Sequence, residues 1–436
     1  MGEPSRDAAT YRVWILNHYA GPPDRPGGTR HYSLARALAR RGIEVTIFAA
    51  SFGHATGREH KIRRRGLVLS ESFDGVRFVW VRTFPYHGNT WRRMVNMVSY
   101  AILVVLAQVG RPAPDVVIGS TVHPFAALAG WLIAKLRGAR FQYEIRDLWP
   151  QTLVDLGALS PGSPLARVLW AIEAFLVRHA ETVIALLPGI PAYLEGRGLP
   201  SAHVHYLPNG ADLAVTDAPA VAWDPGRGPD PLGPILADLA RRRAAGEVVF
   251  AYAGAHGRVN RLDTVLRAID IANRREGPPI RLLLVGDGPE KAGLRTLAVD
   301  LQLPNVEFVD PVPKDRMPEL LGAIDVGVVH ATETPVYRYG ISFNKVFDYM
   351  AARKPIAFAC KTFNDPVAAS GAGASVSPDD ADALAAAFLS LATASPDERR
   401  RMGDAGRAFV EREHDFATIG AKLAELITGA PDPTTP

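Results

Sequence analysis

Short apolar strand-like runs alternate with amphipathic helical segments along this chain in two separate series, and few architectures accept that pattern. The first series reads YRVWILNHY (11–19), TRHYSLARALARRG (29–42, with Gly42 just past the helix end), IEVTIFAA (43–50) and DGVRFVWVRT (74–83). It continues through an apolar helix at 94–110, PDVVIGS (114–120), FAALAGWLIAKLRG (125–138) and ARFQYEIRD (139–147). Strands separated by helices in this way form a parallel sheet with helices on both faces. Around 216–246 the pattern lapses into TDAPAVAWDPGRGPDPLGP and the basic ILADLARRRAAG, which marks a junction. A second series follows: EVVFAYAG (247–254), a helix near 261–275, IRLLLVGDGP (280–289), VEFVDPV (306–312), AIDVGVVH (323–330) and KPIAFAC (354–360). The expected fold is therefore α/β, with two doubly wound, Rossmann-like domains at 1–215 and 247–410 joined by a linker at 216–246. A helix at 411–428 is expected to pack back toward the first domain, and 429–436 to be a disordered tail.

The 436 residues are enough for two such domains, and 47% apolar with 22% charged residues describes a globular chain. A net charge of +4 is too small to argue for nucleic acid as a partner. Cys360 is the only cysteine, so no internal disulfide forms and a reducing, cytoplasmic compartment is expected. VWIL at 13–16 is too short for a signal-peptide core. The stretch MVNMVSYAILVVLAQVG (94–110), preceded by Trp91, Arg92 and Arg93, falls short of the ~20 apolar residues of a membrane span. It reads either as a helix buried on a sheet or as one dipping into a membrane surface.

In open α/β sheets ligands bind beyond the carboxyl ends of the strands. Gly27 and Gly28 follow the first strand and precede a helix, and Gly286 and Gly288 sit in the turn after LLLV. Each pair lets backbone approach an anion, or is simply a turn. YGISFNKVFDYMAARKP (339–355) is the third element. Ser342 can cap its helix; Phe343, Val346, Phe347 and Met350 share one face, and Asn344, Lys345 and Asp348 the other. An ammonium, an amide and a carboxylate near a helix N-terminus suit a nucleotide diphosphate sugar, with Lys345 on phosphate and Asp348 on ribose. A capped surface helix with a solvated Lys–Asp pair is the other reading. Walker, Gly-x-Gly-x-x-Gly and Gly-x-Ser-x-Gly patterns are absent, as are His/Cys clusters with metal spacing.

Taken together, NHYAGPPDRPGGTRHYSLARALARRGIEVTIFA, YEIRDLWPQTLVDLG, LPNGADL, AYAGAHGRVNRLDTVLRAI, LLLVGDGPEKAGL, YGISFNKVFDYMAARKPI and MGDAGRAFVEREHDF resemble the family-4 retaining glycosyltransferases of the GT-B fold. Within that family they are similar to bacterial enzymes that build O-antigen and capsule sugars. The resemblance spans essentially the whole chain and implies two domains facing a central cleft. It implies that Gly27 and Gly28 approach the donor and that His123, in GSTVHPFAALAG, touches the donor sugar, although a satisfied loop histidine is the alternative. Arg146, Asp147 and Trp149 of IRDLWP would lie on the acceptor side, unless the first two are a structural ion pair.

Two departures from the family pattern stand out. Of its two glutamates separated by seven residues, the first position is Gly340 and the second Asp348. Ser342, Asn344 and Lys345 would then serve the phosphates instead. The family's other phosphate site, an Arg and a Lys after the first strand of the second domain, is also changed: GAHGRVNRLD has Asn260 at the lysine position with Arg258 and Arg261 nearby, and Arg258 is the expected substitute cation. The resemblance implies transfer of a hexosyl or N-acetylhexosaminyl group from a nucleotide diphosphate sugar, with UDP the family's usual nucleotide, to a hydroxyl. Configuration would be retained, and neither cofactor nor metal is expected. His123, Lys345 and Arg258 are the catalytic candidates. The expected acceptor is a lipid-linked sugar, met by a protein peripheral to the inner face of the plasma membrane, on the strength of helix 94–110, Trp91, Arg92, Arg93 and a basic loop at 58–65. A sugar-nucleotide epimerase, a transferase acting on a soluble small molecule and a non-catalytic binding protein are the rival readings.

Overall fold

The computed structural model describes residues 11–22, 29–53, 58–62, 66–86, 88, 91–121, 123–218, 223 and 230–430. Gly27 and Gly28, residues 63–65 of the basic loop, most of 219–229 in the expected linker and residues 431–436 of the expected tail lie outside the described residues. The described residues divide into two compact units, one built from residues up to 208 together with 416–430, the other from 209–415.

In the first unit, β1 (Arg12–Leu16), β2 (Glu44–Ala50), β5 (Val68–Phe73), β6 (Val76–Val81), β7 (Val116–Ser120), β8 (Arg140–Ile145), β9 (Thr182–Ala185) and β10 (Val204–Tyr206) form one sheet. Two-residue strands β3 (Phe52–Gly53) and β4 (Arg58–Glu59) make a separate antiparallel ribbon. The order is β10-β9-β8-β7-β1-β2-β6-β5. Central strands such as VVIGS are buried at every position because helices cover both faces. The parallel-sheet expectation passes over β5, which pairs antiparallel with β6 across Asp74-Gly75. Both turn residues have positive φ, 47° and 82°, as a two-residue hairpin turn requires. The polar sequence VLSESF signals its exposed edge position.

Two glycines set the position of the first unit's site. A Cβ on Gly119 of β7 would lie 2.8 Å from Ala127 Cα, and one on Gly130 would lie 3.1 Å from Gly119 Cα. Helix Pro124–Arg137 therefore rests backbone to backbone on β7, and His123 becomes its extended N-cap residue directly beyond the strand end. The last helix, Phe416–Thr428, packs on helix Arg30–Ala39. Arg140 donates to the Ile427 carbonyl, and Gln142 Nε2 donates to Leu426 O at 3.0 Å.

The second unit is a six-stranded, wholly parallel sheet of β11 (Val248–Ala253), β12 (Ile280–Val285), β13 (Val306–Val309), β14 (Val326–His330), β15 (Ile356–Ala359) and β16 (Gly373–Val376). Its order, β13-β12-β11-β14-β15-β16, reverses direction at β11, the switch point beyond which ligands bind in such sheets. Helix Asn344–Ala351 lies directly on β14, because Gly327 leaves the space that the Tyr349 ring fills. The Tyr349 hydroxyl accepts from Ala253 N–H (2.8 Å) and donates to Ala251 O (3.0 Å). That bridge to β11 fixes the helix, and with it the residue one turn earlier, Lys345. Val346, Phe347 and Met350 are buried as the periodicity requires, each stabilising by about 1.5–3 kcal/mol, with Phe343 half-buried beside them.

Candidate functional site

Lys345 is half-buried at the carboxyl end of β11. Its ammonium donates to Tyr252 Oη (2.7 Å) and, over a longer 3.4 Å, to Asn260 Oδ1, and it lies 4.1 Å from the Tyr252 ring centroid. None of these partners is a carboxylate. Burial without a counter-charge pulls the Lys345 pKa down to about 7. The bland reading of a Lys345–Asp348 pair is not what forms: Asp348 accepts from Lys314 Nζ at 2.6 Å.

The helix start differs from expectation. Phe343, not Ser342, occupies the N-cap position, and no side chain caps the first turn. Ser342 Oγ instead accepts from Asn209 N–H (2.8 Å), while Asn209 Nδ2 donates to Ser342 O (2.7 Å). His414 steadies this clasp, with Nδ1 against Asn209 O at 2.8 Å and its ring stacked 4.0 Å from Phe347. A cap lost to a tertiary clasp leaves the positive end of the helix dipole open beside exposed Asn344.

Gly254, Gly286 and Gly288 bring the two loops after β11 and β12 together. A Cβ on Gly286 would fall on the Gly254 carbonyl and one on Gly288 on the His256 backbone, while one on Gly254 would lie 3.1 Å from Lys345 Nζ. Gly254 and Gly286 also need φ values of +158° and +139°. The glycine turn at 286–288 therefore nests against residues 254–257, next to Lys345. His256, beneath it, is fully buried with neither ring nitrogen bonded among the described residues, and burial lowers its pKa. Arg258 is not brought to Lys345. Its side chain is 90% exposed and bonds Glu290 at 3.3 Å, because the short turn Arg258–Asn260 directs Asn260 inward instead.

In the first unit His123 is fully buried, its Nε2 2.8 Å from His18 Nδ1. Burial, reinforced by the Arg93 charge, pulls its pKa down to about 3, so the ring is neutral. One imidazole must donate to the other. If His18 does, His123 carries its proton on Nδ1, which meets no partner among the described residues and is left as a buried donor. Arg146 and Asp147 follow β8, next to β7 in the sheet, and Arg146 N–H donates to Thr121 Oγ1 at 3.0 Å. Among the described residues no ion pair joins Arg146 and Asp147, and Arg146 Nε is buried without a partner. Asp147 itself is exposed at the strand end. Trp149 follows, half-buried.

Behind that loop Glu144 accepts from Arg30 Nε (3.0 Å) and pairs with His31 Nε2 (2.6 Å), all three buried. Arg30 also donates to the Leu207 (2.9 Å) and Pro208 carbonyls. The charges of His31 and Arg30 hold the Glu144 carboxyl well below the usual range in spite of its burial. Sequence reasoning misses this cluster, along with Tyr252, Asn209, Lys314 and Tyr349. The position of Asn260 where a cation is usual was the only available pointer. Among the described residues no group of three His, Cys, Asp or Glu side chains is arranged to hold a metal ion.

Known proteins match this chain over most of its length. The family described as "Glycosyl transferase 4-like domain" matches residues 27–210, and "Glycosyl transferases group 1" matches 247–394. A protein of Escherichia coli K12 described as a colanic acid biosynthesis glycosyl transferase, WcaI, is 27% identical over 254 residues. That match takes in 56% of this chain and 58% of WcaI, less than two thirds of its length. Among solved structures, sucrose-phosphate synthase of Thermosynechococcus elongatus superposes with a TM-score of 0.70 at 19% identity, covering 95% of this chain and 98% of that one. Anabaena HepE in complex with UDP-glucose superposes at 0.64 with 14% identity, covering 96% and 100%.

Proposed function

This chain belongs to the family-4 glycosyltransferases of the GT-B fold, and from that premise we propose that it transfers a hexosyl or N-acetylhexosaminyl group from a nucleotide diphosphate sugar to an acceptor hydroxyl with retention of configuration. One observation carries the reading: Lys345, a cation without a carboxylate partner, stands at the carboxyl end of β11 beside an uncapped helix start and two nested glycine turns. Departure of the diphosphate develops negative charge, and a preorganised ammonium and helix amides stabilise it most when the bond is broken. The role proposed for Gly27 and Gly28 is to approach the same diphosphate. Asp348 keeps one carboxylate oxygen beyond the Lys314 pair for a ribose hydroxyl. His123 would meet the donor sugar as a neutral donor, and Arg146, Asp147 and Trp149 the acceptor. Cations of the protein would do the work of a metal ion. UDP as the nucleotide is supported by the UDP-glucose bound to HepE.

A lipid-linked acceptor in cell-surface polysaccharide biosynthesis is supported by the resemblance to WcaI and by the surface of the first unit. Helices Trp91–Ala107, Pro124–Arg137 and Pro164–His179 pack side by side. They expose Ile102, Leu106, Leu136 and Val168, with Trp91 70% exposed. Their single acidic residue, Glu173, is buried, whereas Arg92, Lys135, Arg167 and Arg178 are exposed. Apolar side chains among bases without surface acids suit an anionic bilayer. No helix among the described residues is long and apolar enough to cross one.

A thermal-shift panel of UDP-, GDP- and ADP-sugars tests the donor assignment. One class should stabilise by about 2.7 kcal/mol at a hundredfold excess over its Kd. A flat panel contradicts the assignment, and a new nucleotide sugar formed without acceptor would identify an epimerase instead.

A further inference from the structure

The ammonium of Lys345 has three hydrogens, and the structure accounts for two of them. One goes to Tyr252 Oη and one, more weakly, to Asn260 Oδ1. Both acceptors are themselves fixed by a single carbonyl: the Tyr252 hydroxyl donates to Ala255 O at 2.8 Å, and Asn260 Nδ2 donates to the same oxygen at 2.9 Å. Tyr252 is fully buried on β11, so its oxygen has no freedom to wander. Gly254, between them, leaves no side chain over the nitrogen. The result is a closed ring of Lys345, Tyr252, Ala255 and Asn260 with one N–H uncommitted.

We propose that Tyr252 and Asn260 are positioning residues of the donor site, aiming the third N–H of Lys345 at the donor diphosphate while withholding any competing negative charge. The inference rests on the donor reading of Lys345. It also gives Asn260 a purpose. A lysine at that position would set a second ammonium against the first; the amide supplies a neutral acceptor instead. Because the ring contains no anion, an incoming diphosphate meets an unneutralised cation, whereas a carboxylate partner would have to be displaced first.

The groups around this ammonium can be named. Tyr252 faces it from β11, Asn260 from the turn Arg258–Asn260, and the neutral His256 ring lies in the intervening loop. On its own helix Asp348 is committed to Lys314. Helix Pro396–Glu413 packs on the other face, with Gly406 against Met350. In the next turn, Lys291 is bound to Asp310 and Arg258 to Glu290.

The test is calorimetric titration of UDP, with inorganic pyrophosphate as a probe that lacks the base, against wild type, Lys345→Ala, Tyr252→Phe, Asn260→Ala and Asn260→Asp from pH 6 to 9. Tyr252→Phe should weaken both probes about tenfold, the usual worth of a hydrogen bond to a charged group. It should also move the fall in affinity to lower pH, because the ammonium loses an acceptor. Asn260→Ala should act in the same direction with a smaller effect, and Asn260→Asp should weaken binding by giving Lys345 a rival anion. A merely structural role would lower melting temperature and leave the pH midpoint in place. Wild-type affinity and pH midpoint in folded Tyr252→Phe and Asn260→Asp, alongside a large loss in Lys345→Ala, would overturn the positioning role alone. Wild-type affinity in Lys345→Ala, or no binding of either probe to wild type, would overturn the donor reading beneath it.

Discussion

The two sheets treat buried charge in opposite ways. At the carboxyl end of β8 the buried carboxylate of Glu144 has Arg30 on one oxygen and His31 on the other. Beyond β11 Lys345 has only a phenol and an amide. A compensated cluster holds a loop in place, as Arg30 does through the Leu207 and Pro208 carbonyls. An uncompensated cation is costly to fold around, and the donor diphosphate is the anion proposed to complete it. The contrast separates the part of the molecule that is built from the part that is poised.

The largest effect expected from disturbing this contrast is on the compensated side. Glu144→Ala leaves Arg30 buried without its counter-charge and should cost about 3–5 kcal/mol, read as a large drop in melting temperature. A melting temperature within two or three degrees of wild type would mean that the cluster is not structural. On the poised side the expected effect is on pH dependence. Lys345 binds its proton more weakly in the folded protein than in the unfolded chain, so the free protein gains stability as pH rises from about 7 toward the ordinary lysine value. Diphosphate affinity does the reverse, falling up to tenfold per unit above pH 7, where a phosphate ionising near ~6 is already charged. A flat affinity between pH 7 and 9 would show that Lys345 does not meet the diphosphate as a titrating cation.

Asp348→Asn should be milder. It removes the charge that holds Lys314 and a ribose acceptor, raising the Kd for the nucleoside diphosphate several-fold while leaving kcat near wild type, since ribose contacts change little during transfer. A fall in kcat at unchanged affinity would place Asp348 at the reacting centre instead. The smallest effect belongs to the outer surface. Ile102→Glu with Leu106→Glu should lower co-sedimentation with anionic vesicles at low salt by a few fold, each phospholipid contact of a base being worth about 1 kcal/mol. Equal binding of wild type and variant, or none by either, would remove the membrane-surface role.

How much of this was legible in the sequence follows from the range of the interactions. Parallel strands buried on both faces announce themselves as apolar runs, and the glycine turns and the polar face of the 344 helix follow from local spacing. The edge strand β5 did not, because exposed VLSESF carries no apolar run. Ser342 looked like a cap because capping is a local rule; Asn209, 133 residues away, claims its hydroxyl. Tyr252 is invisible for the same reason, since it matters only through a lysine 93 residues distant, and Asn260 shows in the sequence only as a missing cation, its bond to that lysine spanning 85 residues. Only charge points to Arg258 in the sequence, and the turn sends it to solvent.

Whether Lys345 meets the donor diphosphate is decided by steady-state transfer and nucleoside diphosphate titration of Lys345→Ala, using the nucleotide sugar that the thermal panel selects. The variant should fold, because Lys345 is not on the buried face of its helix. Its diphosphate binding should be weakened and its kcat lower by about a hundredfold or more, as charge on the leaving group grows during bond cleavage. Wild-type kcat and diphosphate affinity in that variant would remove Lys345 from the donor site.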